Sequence, residues 1–158
     1  MPVKNIVVAT DFSEPAKRAF EYAFGLAREL RARLHVLHVQ DESSLRVAVK
    51  EGLLREDSTD EQLCDAVDHL IKQRLAELVG GIDRSDVEIV TATRRGDARA
   101  VAVAYAVEVH ADLVAVGRMG AGFIEDIRSA VMGSVAEALI RRSPCPVLVV
   151  RRDHSQQR

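Results

Sequence analysis

Leu113-Val114-Ala115-Val116-Gly117-Arg118-Met119-Gly120 is a short apolar run that stops on a pair of glycines. Met132-Gly133-Ser134-Val135-Ala136-Glu137 follows it as a glycine–serine step opening a helical pattern. The first stretch reads as a strand covered on both faces, the second as a helix start. Glycines at a strand end and a helix N-terminus present backbone N–H groups at little steric cost, which is what a phosphate group needs.

The same grammar runs through the rest of the chain. Ile6-Val7-Val8-Ala9 is a first buried-type strand. Ser13 is placed to cap the helix after it, Glu14 and Pro15 suit its first turn, and Ala16, Ala19, Phe20, Ala23, Phe24, Ala27 and Leu30 form its apolar stripe. Leu34 to Val39 is the second strand, and a polar, irregular connection with some helix spans residues 40–59. A second amphipathic helix starts at Asp60 and closes at Gly80-Gly81. Val87 to Thr93 is the third strand, Asp97 can cap a helix running to about Val109, Leu113 to Val116 is the fourth strand, and Ser134 to Arg142 the next helix. Val147-Leu148-Val149-Val150 is the fifth strand. This alternation predicts an α/β fold: a doubly wound, five-stranded parallel sheet in the order 3-2-1-4-5. The domain is expected over residues 1–152, with 153–158 a short polar tail.

Composition narrows the function classes. A formal net charge of −2 gives no footing to a nucleic-acid or membrane-surface role. No apolar run is long enough to span a bilayer. The chain enters its first strand almost at once, so no signal peptide is expected. Cys64 and Cys145 are far apart and in no metal spacing, which fits a reduced cytoplasm and packing roles for both. His35 and His38 fall on opposite faces of one strand, and the five histidines show no metal spacing; structural roles are expected for them.

In the expected strand order the chain reverses between strands 1 and 4, and ligands of such sheets bind beyond the strand carboxyl ends at that reversal. Ala9, Thr10 and Asp11 lie on one side of the crevice and Val116, Gly117, Arg118 and Gly120 on the other. Asp11 can accept both hydroxyls of a ribose, or it can help cap the first helix. Val39 and Val116 can offer apolar walls and backbone groups to a base, or belong to the core alone. Gly133, Ser134 and Val135 can donate N–H groups to a phosphate. Equally, Gly117 and Gly120 can be plain turn residues, with Ser134 and Glu137 forming a capping box for their own helix. Arg118 and Arg128 can neutralise phosphate or stay solvated.

Val8-Ala9-Thr10-Asp11-Phe12-Ser13-Glu14-Pro15, Leu37-His38-Val39, Ala111 to Gly117, Gly133-Ser134-Val135-Ala136-Glu137 and Ser143-Pro144-Cys145-Pro146-Val147-Leu148-Val149-Val150 resemble the universal stress protein family. The resemblance covers nearly the whole chain in order. It implies one α/β domain of the adenine-nucleotide-binding type, usually a homodimer, from a family with one ATP-binding branch and one non-binding branch. The binding branch carries Gly, two residues, Gly, nine residues, Gly, then Ser or Thr. Here Gly117, Gly120, Gly133 and Ser134 are present, but twelve residues separate Gly120 from Gly133. The three extra residues are about one helical turn; they either lengthen a short helix there or tilt the loop and spoil the cradle. By the same resemblance Asp11 is the ribose-binding acid and Val39 the adenine-contacting strand end.

The resulting expectation is a cytoplasmic, ATP-binding stress-response or signalling dimer, with a divalent metal such as Mg left open. Its dimer contact would be the apolar edge strand Val147, Leu148, Val149 and Val150, which pairing with its own copy would cover. The alternatives are a non-binding interaction dimer and a slow ATPase using Glu125, Asp126 or Glu137 as base.

Overall fold

The computed structural model describes residues 2–41, 52, 59–83, 85–118 and 132–151. Their order is β1 (Asn5–Ala9), α1 (Glu14–Leu30), β2 (Arg33–Gln40), α2 (Asp60–Gly80), β3 (Ile89–Arg95), α3 (Ala98–Glu108), β4 (Leu113–Gly117), α4 (Ser134–Arg142) and β5 (Val147–Val150). The strands form one sheet in the order β3-β2-β1-β4-β5, every neighbouring pair parallel. This is the doubly wound sheet expected from the sequence.

Strand alternation divides the core in two. Ile6, Val8, Leu34, Val36 and Ala115 point to one face and pack with Ala19, Phe20, Ala23 and Ala27 of α1 and Val67, Ile71, Leu75 and Val79 of α2. Val7, Leu37, Val114 and Val116 point to the other face and meet Ala102, Tyr105 and Ala106 of α3 and Ala136 and Leu139 of α4. The alanine stripe of α1 lets that helix lie close against the strands, with Phe20 its one large fully buried side chain. Leu30, expected in that stripe, is instead 47% exposed, because α1 ends there in a left-handed cap at Arg31 that turns the chain towards β2.

Caps account for most of the helix boundaries. Ser13 caps α1 by accepting from the Ala16 N–H, and the Asp97 carboxylate caps α3 by accepting from the Arg99 and Ala100 N–H groups. At α2 a full capping box joins Thr59 and Gln62. The third strand sits two residues later than the alternation predicts, at Ile89–Arg95 rather than Val87–Thr93. Its pairing with β2 runs through to Gln40↔Arg95, and its two terminal arginines are held on the charged sheet edge by Glu108 and Asp68. Most of the long connection between β2 and α2 falls outside the described residues, as do residues 152–158, so the polar tail is not described either.

Both histidines of β2 are buried, on opposite faces as expected. His35 Nδ1 lies 3.3 Å from the Tyr105 hydroxyl, and His38 Nδ1 lies 2.9 Å from the Thr10 carbonyl oxygen. Burial is the main force pushing both rings below the ordinary imidazole range. The unfolded chain takes up these protons near pH 6.5, the folded chain only at lower pH. Stability is therefore fully present above about pH 6.5 and declines as pH falls towards the folded values. The urea midpoint should drop between about pH 7.5 and pH 5.5, before ordinary carboxylates begin to protonate. A midpoint unchanged across that range would show that the rings are not held neutral by the fold.

Candidate functional site

The β1–β4 ladder has three register pairs, Ile6↔Leu113, Val7↔Val114 and Val8↔Ala115. On either side the sheet continues further: β1 follows β2 to Ala9↔Leu37, and β4 follows β5 to Gly117↔Val150. The sheet therefore splits at the carboxyl ends of β1 and β4, where the chain reverses. At the opposite end the Asp112 carboxylate accepts from the Lys4 and Asn5 N–H groups at 2.8 and 3.0 Å. These two bonds close the seam there and hold the carboxyl below the usual carboxylate range.

One wall is the loop after β1. The Thr10 N–H donates to the Leu37 carbonyl at 2.9 Å, and the Thr10 hydroxyl accepts from the Phe12 N–H at 3.1 Å. Phe12 adopts a left-handed conformation with φ 64°, uncommon for a bulky residue. Its ring stacks on His38 with centroids 4.7 Å apart, and the Arg74 guanidinium lies 5.9 Å from its centroid. Asp11 is the exposed residue between these two anchors. One of its oxygens accepts from both the N–H and the hydroxyl of Ser13. Ser13 thus caps α1, and Asp11 is oriented through Ser13 rather than capping the helix itself.

The other wall is the end of β4. The Arg118 N–H donates to the Val150 carbonyl at 3.2 Å, and the Arg118 carbonyl accepts from the Gly133 N–H at 2.8 Å. These bonds fasten the start of α4 directly to the end of β4. Gly133, not Ser134, is the N-cap of α4, and no side chain caps this helix. The expected Ser134–Glu137 capping box is therefore absent: Ser134 is already the first helical residue, and Glu137 pairs with Arg141 one turn on. A glycine cap has no side-chain oxygen to turn back on the first-turn N–H groups, so the cap itself leaves those donors unused.

Gly117 has a second reason to be glycine. A Cβ there would lie 2.8 Å from both the carbonyl carbon and oxygen of Pro15 and 3.1 Å from the Ala16 nitrogen. The first turn of α1 rests on the end of β4, and only a hydrogen fits between. Sequence reasoning saw the glycine and missed this reason, because Pro15 is about a hundred residues away.

The candidate residues divide accordingly. Ala9, Thr10, Asp11, Val116, Gly117, Arg118, Gly133, Ser134 and Val135 all lie on the two strand ends or at the start of α4. The Val39 and Val116 side chains pack into the α3–α4 core, so backbone atoms are what Val116, only 6% exposed, has to offer a ligand. Gly120 falls outside the described residues, as do Glu125, Asp126, Arg128 and the extra residues before Gly133. Among the described residues no cluster of His, Cys, Asp and Glu is arranged to hold a metal ion, and no helix is long and apolar enough to cross a membrane.

A split parallel sheet with an acidic loop on one side and an uncapped helix start on the other defines a doubly wound α/β protein of the switch-point crevice type. The universal stress protein family profile matches residues 2–151, and the chain belongs to that family. A Staphylococcus aureus (strain USA300) chain bearing the universal stress protein name is 32% identical over 155 residues, covering 94% of this chain and 84% of its own. Two solved structures share the fold. Protein MJ0577 superposes with a TM-score of 0.74 at 23% identity, covering 98% of this chain and 99% of that one. The Archaeoglobus fulgidus universal stress protein in complex with dAMP gives a TM-score of 0.60 at 24% identity, covering 94% and 98%.

The packing of Gly117 is open to a direct check. Gly117→Ala should cost about 1–3 kcal/mol, because the new methyl group meets backbone rather than a movable side chain. Urea denaturation at neutral pH measures this, and an unchanged midpoint would mean that α1 does not rest on β4 as described.

Proposed function

We propose that this chain binds an adenine nucleotide, with ATP the first candidate, in the crevice between the ends of β1 and β4. The observation that carries this reading is the Gly133–Arg118 hydrogen bond, which fastens an uncapped helix N-terminus across the sheet split from Asp11. In the bound state Asp11 would accept the ribose hydroxyls. The first-turn N–H groups at Ser134 and Val135 would donate to phosphate oxygens, with the Ser134 hydroxyl beside them. Gly117 and Arg118 would flank the phosphates, and Ala9, Thr10, Val39 and Val116 would border the base and sugar. Among the described residues no cluster of His, Cys, Asp and Glu is arranged to hold a metal ion, so Mg would enter with the phosphates. Complexes of family members with cAMP and with dAMP support the ligand class. The protein would then act as a cytoplasmic stress or signalling component, through its nucleotide-dependent shape rather than by turnover.

Calorimetric titration with ATP tests the site. Folded wild-type protein should bind, and Asp11→Ala should weaken binding about ten-fold or more, the scale of hydrogen bonds to a charged acceptor. No heat of binding at about 1 mM ATP would favour the non-binding interaction dimer instead.

The same reading makes the protein a homodimer through β5. Pro146 and Val150 offer their carbonyls to β4, so strand alternation turns the backbone groups of Val147 and Val149 outward to the sheet edge. Val149→Pro removes an outward N–H while sparing the β4 ladder. Sedimentation should find the wild type dimeric and this variant folded but monomeric. A variant that remains a dimer would move the interface elsewhere.

A further inference from the structure

The nucleotide reading uses Asp11 but leaves unused the buried histidine beneath the loop that carries it. His38 is 6% exposed, and its two ring nitrogens have different surroundings. Nδ1 lies 2.9 Å from the Thr10 carbonyl oxygen, which can only accept, so Nδ1 carries the hydrogen and donates it. Nε2 is then the bare nitrogen of a neutral ring. It is buried and has no hydrogen-bond partner among the described residues. A proton added at Nε2 would have no acceptor to receive its hydrogen bond, and the ring would carry a charge inside the fold.

The same ring also supports the strained part of the loop. It stacks on Phe12, whose left-handed backbone is held by its N–H bond to the Thr10 hydroxyl. A backbone held in this region by its surroundings relaxes when the surroundings let go. Thr10 and Phe12 are the residues immediately before and after Asp11. A single imidazole therefore touches both anchors of the residue that would bind ribose.

We propose that His38 is a proton-sensitive clamp on the Asp11 loop: the neutral ring holds Thr10 and Phe12 in the geometry that presents Asp11, and protonation releases them. His38 is a positioning residue, acting through Asp11. The groups that bear on it are the Thr10 carbonyl and the Asp11 and Asp41 carboxylates, which favour the protonated ring, and Arg74 on α2, which opposes it; the release comes from moving the charged, buried ring towards solvent, against the pull of the Thr10 bond. Burial is the largest influence and also opposes protonation, so the clamp is closed at neutral pH and opens only on acidification. The consequence for ligand binding rests on the nucleotide reading above: affinity for adenine nucleotide would fall as pH drops below the ordinary imidazole range.

The test separates the clamp from the ligand. In the apo protein, amide hydrogen exchange gives protection factors for Phe12 and Ser13 from about pH 7.5 to about pH 5, while NMR follows the titration of the His38 ring. Protection at these two amides should begin to fall at about pH 6.5, where the released ring takes up its proton, and level off where the ring in the folded protein titrates, a total loss on the order of ten-fold for each pH unit by which folding depresses its pKa. In His38→Asn, whose side-chain amide can still donate to the Thr10 carbonyl without titrating, that pH dependence should vanish. Should His38→Asn fail to fold, the wild-type curves decide alone: protection must fall below about pH 6.5 and level off at the pH where the folded ring titrates. Loop protection independent of pH, or unchanged in slope in His38→Asn, overturns the clamp. ATP titrations at both ends of the range then compare wild type with His38→Asn, the ligand's own phosphate titration cancelling in the ratio. A wild-type affinity loss exceeding that of the variant supports the link to the site. No binding at any pH would reject the nucleotide reading, and the exchange data would still decide on the clamp.

Discussion

The three-pair ladder between β1 and β4 is the constraint on which everything else depends. The two strands lie more than a hundred residues apart in sequence and yet are central neighbours. Their pairing reverses the direction of winding, and so it sends α1 and α2 to one face of the sheet and α3 and α4 to the other. Asp112 closes the seam at the amino end. Among the described residues no such pair of bonds joins β1 and β4 at the carboxyl end, where their ladder stops at Val8↔Ala115 and the first turn of α1 occupies the space above Gly117. The split of the sheet at that end is a consequence of the topology before any particular side chain is considered.

The two walls of the crevice are built by different means. The β4 side is mostly backbone: Arg118 ties β5 and the start of α4 to one point, and a glycine cap leaves the helix dipole uncovered by side chains. Among the described residues that wall is held by main-chain bonds, which do not titrate. The β1 side depends on side chains, with Thr10, Phe12, Ser13 and His38 arranged around Asp11. Its shape follows the rotamer and protonation state of those groups. Regulation acting on this site therefore has more purchase on the β1 wall than on the β4 wall.

Much of the architecture was legible in the residues. Ser13, Asp97 and the Ser134–Arg142 helix were placed correctly because caps and apolar periodicity are local signals. The third strand slid by two residues because its terminal arginines look like loop in sequence. Their register with β2, the Arg95–Gln40 hydrogen bond and ion pairs with Glu108 and Asp68, all brought close by the fold, keep them in the ladder. Of the two roles the sequence leaves open for Ser134, the capping one is excluded for a related reason. A capping box and a glycine-capped helix start are nearly indistinguishable in sequence, and the Gly133–Arg118 bond decides between them by setting where the helix begins.

The sequence by itself determined the alternation of elements, hence the strand order, and placed Asp11 and the Gly133–Ser134 step at facing strand ends. Hydrophobic periodicity and capping chemistry act over a few residues, so they can be read from a few residues. Only the tertiary structure decided that Gly117 must be glycine to admit Pro15, and that His38 lies beneath the Asp11 loop with one nitrogen satisfied and the other bare. Both facts depend on distances between segments that the chain joins only through the sheet. The strand-end glycine that first suggested a phosphate cradle thus proves to be, first of all, the point where α1 rests on β4.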